Sequence, residues 1–410
     1  MNIPLSAPDI GEREVEYVSS VLNSHQLSMG PWLEKFEKKF AAYVGTEHAI
    51  AVNSGTSALH LCVRALEIGA NDAVITSSFS FVASVSCFLY EGALPILVDI
   101  DPNTLNLDPA AVRDYLHSRC TRAADGSVID RESGRVVKAM LPVHIFGLPC
   151  RMDELMEIAR EYDLLVIEDA CEAIGATFDG RRTGTFGDAG VFAFYPNKQM
   201  TTGEGGMITT NDPHVAELCR SMRNQGRDTD GAWLRHVRLG YNYRLSELHA
   251  ALGLAQLERI DELLAARTDV ARRYSQGLAG QAQLHLLEND SRTTRSWFVY
   301  IVRFCGGAPA LVRDRVRAAL REKGVASQIY FTPIHQQPFF QKCQSGNIPT
   351  LPNTDQAADE CLAIPFHNRL SDAEIKFVCD AINESLETPA QQSPAGCEPA
   401  VFVSAQALET

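Results

Sequence analysis

From about residue 45 to residue 210, short apolar runs alternate with stretches whose apolar residues recur every three to four positions. The runs Ala49-Ile-Ala-Val52, Ala73-Val-Ile-Thr76, Leu94-Pro-Ile-Leu-Val98, residues 136–143 and Leu164-Leu-Val-Ile167 predict strands. Helices are predicted between them. One follows Gly55, with Leu59, Cys62, Val63 and Leu66 on one face and Gly69 as its C-cap. Others cover residues 79–88, the segment opened by Asp108-Pro109, and residues 152–162. Strands and helices in strict alternation imply a mostly parallel sheet covered on both faces, with ligands at the carboxyl ends of its strands.

The flanks differ. A short helical patch covers residues 12–22, and Pro31 opens an amphipathic helix over residues 32–40 whose lysines (Lys35, Lys38, Lys39) form a solvated face. Residues 121–135, with Asp125-Gly126 and Ser133-Gly134, read as a polar hairpin or insertion. Residues 220–238 read as an Arg-rich loop, followed after Ser246 by one long helix through Arg267. Beyond it the period changes. Strands are predicted over 297–303 and 325–331, a helix over 313–323 capped by Gly324, and a last helix opened by the capping box Ser371-Asp-Ala-Glu374. The expected division is an N-terminal segment (1–30) packing on a domain or dimer interface, a large α/β unit (31–255), a smaller C-terminal α+β unit (256–387) and a polar, disordered tail (388–410).

Composition narrows the class. With 45% hydrophobic and 21% charged residues, the 410-residue chain is an ordinary globular protein. The formal net charge of −14 argues against nonspecific binding to nucleic acid or anionic membranes. The amino terminus lacks a signal-peptide layout, and no apolar run spans a bilayer. Eleven cysteines, without any C-x-x-C pair, fit reduced buried thiols in a cytoplasm and offer no metal or cluster spacing.

The candidate chemistry centres on Val191–Thr210. An apolar β-like run stops at Pro196, a single lysine, Lys198, follows, and a glycine-rich turn (Gly203 to Gly206) leads into a second run. Loss of water around such an amine favours its neutral, nucleophilic form, which condenses with aldehydes; a surface pairing with Glu204 is the alternative. Small residues at Asn53-Ser54-Gly55-Thr56-Ser57, between a strand and a helix, either offer backbone N–H groups to a phosphate or form a plain N-cap. Asp169 ends a predicted strand. An anion nest, a carboxylate and an amine are the three groups that pyridoxal 5′-phosphate requires for its phosphate, ring nitrogen and aldehyde.

The chain resembles the DegT/DnrJ/EryC1/StrS sugar aminotransferases, which have the PLP fold type I (aspartate-aminotransferase-like). The resemblance rests on Asn53-Ser-Gly-Thr-Ser-Ala-Leu59, Pro142-Val-His-Ile-Phe-Gly147, Glu168-Asp-Ala-Cys-Glu-Ala-Ile-Gly175, Phe194-Tyr-Pro-Asn-Lys198 with Gly203-Glu-Gly-Gly206, and Gly240-Tyr-Asn-Tyr-Arg244. It implies that Lys198 forms the Schiff base and shuttles the proton, and that Asp169 pairs with the ring nitrogen. Gly55 and Thr56 would hold the phosphate and Phe81 would stack on the ring. Asn242 and Arg244 would reach the phosphate from a second subunit of a homodimer. Glu172 stands where the family often has glutamine or histidine near the ring hydroxyl, and Ala193 where many relatives have a phosphate-binding serine. Tyr330 and His335 match a segment near the substrate entrance. The implied reaction moves an amino group from glutamate or glutamine, through the pyridoxamine form, to a keto-sugar, most often a nucleotide-diphosphate 3- or 4-keto-hexose. Same-fold dehydratases carry histidine in place of the lysine. An amino-acid transaminase would need an arginine for the α-carboxylate, with Arg369 the late-chain candidate. A non-catalytic PLP-binding regulator would carry a nucleic-acid-binding appendage.

Overall fold

A computed structural model describes residues 2–228, 234–287, 290–343 and 348–387. Fifteen strands are present among them. The first seven are β1 (His48–Val52), β2 (Asp72–Ser77), β3 (Leu94–Val98), β4 (Cys120–Arg122), β5 (Val128–Asp130), β6 (Val136–Leu141) and β7 (Leu165–Asp169). Then come β8 (Thr177–Phe178), β9 (Arg181–Arg182), β10 (Ala189–Ala193), β11 (Gly206–Thr210), β12 (Leu284–Leu286), β13 (Thr293–Thr294), β14 (Tyr300–Phe304) and β15 (Cys361–Ile364).

The main sheet runs in the order β1-β11-β10-β7-β6-β2-β3. Its centre is parallel, from β3 through β2, β6 and β7 to β10; β11 runs antiparallel to both β10 and β1, so β1 points the same way as the centre. The central strands are apolar on both faces because helices cover both: Ile50, Val74, Ala139, Ile167, Val191 and Ile208 lie in one core, and Ile75, Met140 and Val166 in another. Parallel strands need crossovers, supplied by helix Ala83–Leu89 between β2 and β3 and helix Met152–Tyr162 between β6 and β7. Asp108 and Pro109 cap and open a helix as expected, the aspartate accepting from Ala110 N at 2.9 Å. Residues 121–135 form the β4–β5 hairpin. A second sheet, β12-β14-β15, packs with helices Ile260–Gly277, Pro309–Glu322 and Asp372–Glu387 around Tyr274, Tyr300, Phe304 and Ile382. The segment before Pro31 touches both cores: Ile3 pairs with Val325, while helix Glu12–Ser24 lies on helix Glu247–Leu257.

Several expectations are corrected. The helix expected over 79–88 begins only at Ala83, because Ser78 O accepts from Ile334 N and Ser78 Oγ accepts from His335 N, tying that backbone elsewhere. Gly69 is no C-cap: helix Gly55–Ala65 ends at Leu66, and Gly69 N–H binds Asp72 Oδ2 at 2.8 Å. The long helix after Ser246 is two, Glu247–Leu257 and Ile260–Gly277. It breaks at Arg259, whose guanidinium is drawn to Asp9 (2.7 Å) and Glu14 (3.1 Å). Residues 325–331 form no strand. Val325 and Gln328 make single bridges to Ile3 and Ala363, and the place beside β14 is taken by β15, which the sequence pattern missed. The strand expected over 297–303 starts at Tyr300, and the Arg-rich loop begins after helix Pro213–Arg223. The expected tail (388–410) lies outside the described residues. Among the described residues, no helix is long and apolar enough to cross a membrane.

At the start of β11, a methyl group on Gly206 would lie 2.5 Å from Ser54 O, so only glycine lets this strand meet the turn after β1. Gly206→Ala is expected to lower stability by more than about 2 kcal/mol, since both partners are backbone. Urea unfolding measures it.

Candidate active site

The carboxyl ends of β1, β7 and β10 open into a cavity of about 520 Å³. Its walls include Ser54, Gly55, Thr56, Phe81, Asp169, Glu172, Ala193, Asn197, Lys198, Phe298 and Tyr330. A larger cavity of about 740 Å³ beside edge strand β3 contains none of these groups.

Lys198 sits on a turn closed by its own N–H to Tyr195 O (2.9 Å), and Phe194 N binds Gly205 O across the loop. Its side chain is 13% exposed, with Nζ 3.8 Å from the centre of the Phe298 ring and 3.6 Å from Glu172 Oε1. Glu172, not Glu204, is therefore its carboxylate neighbour. Glu172 Oε2 accepts from Phe146 N at 2.8 Å. Burial pushes the Glu172 carboxyl above its ordinary value, with Lys198 and the Phe146 N–H opposing. Burial likewise raises the Tyr330 hydroxyl, and the Glu172 charge adds to it.

Asp169 ends β7, with its neighbour Val191 in register on β10. Its Oδ1 accepts from Cys171 N (3.1 Å) and its Oδ2 from Ser84 Oγ (2.8 Å), so the carboxylate is oriented while keeping lone pairs free. Across the cavity, Ser54 caps helix Gly55–Ala65 by accepting from Ser57 N at 3.0 Å. The N–H groups of Gly55 and Thr56 occupy the first helical positions, where no intrahelical acceptor exists. The plain N-cap is thus present, and Gly55 and Thr56 just beyond it line the cavity. A methyl on Gly55 would come within 2.7 Å of Ala193 Cβ, so the turn and β10 touch directly. Phe81 is 60% exposed at the wall, an aromatic face available for stacking.

Other candidates fall elsewhere. His335 is buried outside the cavity wall, with Nδ1 2.7 Å from Ser78 Oγ and Nε2 3.0 Å from Asp355 Oδ1, so neither ring nitrogen is left for a substrate. Asn242 is exposed and bridges Asn224, and Arg244 Nη1 donates to Asn224 Oδ1 (2.9 Å); neither lines this chain's own cavity. No arginine lines it either. Arg223 and Arg238 are committed to Glu37 and Glu217, and Arg369 donates to Ile10 O. Sequence reasoning missed Ser84 and Phe298. Ser84 carries no signal beyond a helix position, and Phe298 stands a hundred residues from the lysine it supports.

The DegT/DnrJ/EryC1/StrS aminotransferase family matches residues 8–383. The chain belongs to this family. It is 39% identical over 390 residues to GDP-perosamine synthase of Caulobacter vibrioides, covering 94% of this chain and 98% of that one. Among solved structures it is similar to DesV of S. venezuelae in complex with a ketimine intermediate (33% identity, TM-score 0.80, 92% and 94% coverage). It is also similar to Spr1654 of Streptococcus pneumoniae in its PLP form (26% identity, TM-score 0.84, 94% and 99% coverage), a protein also solved in a PMP form. The fold is accordingly PLP fold type I, and the activity that of a PLP-dependent sugar aminotransferase. The residues present fit the cofactor: unbonded N–H groups at a helix start, an oriented carboxylate, an amine and an open aromatic face meet in one cavity.

An acid with a raised folded-state pKa binds its proton more readily folded than unfolded. It therefore costs stability as pH climbs past 4.5, the ordinary value here, toward the folded one. Glu172→Gln has no proton to lose. In urea unfolding of cofactor-free protein from pH 4 to 8, the variant is expected to gain on the wild type as pH rises; a constant gap would contradict the assignment.

Proposed function

We propose that this aminotransferase moves an amino group from glutamate or glutamine to a nucleotide-diphosphate keto-hexose with its carbonyl at ring position 3 or 4, with Lys198 as the reacting amine. The observation that carries this is the convergence of Lys198 Nζ, the Asp169 carboxylate and the Gly55–Thr56 N–H groups on one cavity. The relative named for a GDP-linked sugar, GDP-perosamine synthase, supports a nucleotide-sugar acceptor.

In this reading the helix start at Gly55 and Thr56 holds the cofactor phosphate through N–H donors and the helix dipole. Asp169 holds a proton at the ring nitrogen, its orientation set by Ser84 and the Cys171 N–H. Phe81 stacks on the ring face, Tyr330 borders the substrate side, and Ala193 leaves the phosphate one hydroxyl donor short. Bound pyridoxal phosphate supplies the electron sink for deprotonation next to nitrogen and carries the amino group between donor and acceptor. Lys198 Nζ moves the proton at the reacting carbon, from a site where Phe298 and burial exclude water. Glu172, beside that amine, is placed to take or return a proton from Nζ.

Two copies are taken to pair so that Asn242 and Arg244 of each complete the phosphate site of the other. Exposed apolar side chains around that segment, Leu239 (72%) and Met29 (53%), support a covered face there.

The defining experiment supplies purified, PLP-loaded protein with glutamate or glutamine and a panel of nucleotide keto-sugars, and follows amino-sugar formation by mass spectrometry. Wild-type protein is expected to aminate at least one. Lys198→Ala should form no covalent bond with the cofactor and show no turnover, and Asp169→Asn should keep that bond but lose about 10²-fold or more in kcat. Borohydride labelling anywhere other than Lys198 would sink the reading. For the shared site, mixing Lys198→Ala with Asn242→Ala subunits should recover activity, because on the order of a quarter of the sites become intact in a dimer with composite sites. Activity no higher than the mean of the parents would refute it.

A further inference from the structure

Arg267, on helix Ile260–Gly277, is a charged side chain only 3% exposed, and no carboxylate among the described residues stands within ion-pair distance of it. Burial lowers its pKa to about 10, opposed by the more distant Asp9. Its donors go to backbone carbonyls instead. Nε donates to Trp297 O at 2.8 Å, and Nη2 to Phe298 O at 3.0 Å and Asn197 O at 3.2 Å. The guanidinium also lies 5.2 Å from the centre of the Phe366 ring.

Those carbonyls belong to the two segments that form the socket of Lys198. Asn197 immediately precedes the lysine, and the Phe298 ring is the surface under its Nζ. From the other side Gln199 Nε2 reaches Glu172 O (2.5 Å) and Ser296 O (3.1 Å), so both segments are fastened twice. A guanidinium without a carboxylate partner in an apolar interior is costly, and apolar packing would join a helix to these segments more cheaply. A planar fork holds carbonyls of two separate segments with donors fixed relative to one another, whereas a lysine offers one flexible point charge and a hydrophobe no donor.

We propose that Arg267 is a positioning residue for the reacting amine: it clamps the Asn197 turn to the Trp297–Phe298 segment and so fixes Lys198 over Phe298. This rests on the reading that Lys198 is that amine. The clamp originates on helix Ile260–Gly277, outside the sheet that carries the cavity. Movement of that helix therefore shifts the amine's support directly.

The test compares full-length wild type with Arg267→Met and Arg267→Lys. Thermal unfolding first sets a temperature at which each protein is folded. In cofactor-free protein at one pH, the rate of Lys198 acetylation by acetic anhydride is followed by peptide mass, with exposed Lys376 as internal reference. With PLP, borohydride trapping at Lys198, kcat and KM are measured. In Arg267→Met the rate of Lys198 acetylation relative to Lys376 is expected to change about threefold or more, as the amine leaves its support over Phe298. In both variants kcat should fall about tenfold or more while KM changes less than about threefold, the pattern of a misplaced reacting group. Should the methionine variant not fold, Arg267→Lys decides alone by its kcat and KM. A wild-type acetylation rate with kcat within about twofold overturns the proposal, as does a loss confined to thermal stability. Absence of trapping at Lys198 in the wild type would instead remove the underlying reading.

Discussion

The site depends on one close approach between backbones. The turn after β1 and the start of β11 meet with no side chain between them, since a methyl on Gly206 would lie 2.5 Å from Ser54 O. The same turn touches β10, where a methyl on Gly55 would lie 2.7 Å from Ala193 Cβ. This contact sets the start of helix Gly55–Ala65, with its unbonded N–H groups, beside the loop that carries Lys198. A bulkier residue at either glycine would separate the anion-binding end of the cavity from its amine.

The parallel centre of the sheet adds the third group. With β7 and β10 neighbours in register, Asp169 and Val191 lie side by side, and both strands leave the sheet at its carboxyl end. Polar groups gathered at that end are then tuned by what surrounds them. Ser84 and the Cys171 N–H orient Asp169, whereas Glu172 is buried deeply enough for its carboxyl to be shifted upward despite the nearby amine. Two carboxylates three residues apart thus have different surroundings, which suits them to different tasks.

A second layer of support comes from outside the sheet. Arg267, Gln199 and Phe298 tie the lysine turn to segments about seventy to a hundred residues later, so the amine is held between two parts of the fold. His335 also binds across parts, to Ser78, beside the point where the helix expected from residue 79 is delayed to Ala83. Its ring nitrogens serve that junction and leave nothing for a ligand.

Local chemistry in the sequence was enough for the alternation of strands and helices, the caps at Asp108-Pro109 and Ser371, the β4–β5 hairpin, and the placing of Lys198, Asp169 and Gly55 at loop ends. Each of these follows from a neighbour within a few residues: a cap, a glycine, an apolar period. The break at Arg259, the replacement of a strand at 325–331 by β15, the choice of Glu172 over Glu204 as partner of Lys198, and the burial of His335 could not be read that way. They were decided by contacts hundreds of residues apart in some cases, such as Arg259 with Asp9 and Ser78 with His335. The sequence displays which groups are reactive, but burial and distance, which set their charge and their partners, exist only once the chain is folded.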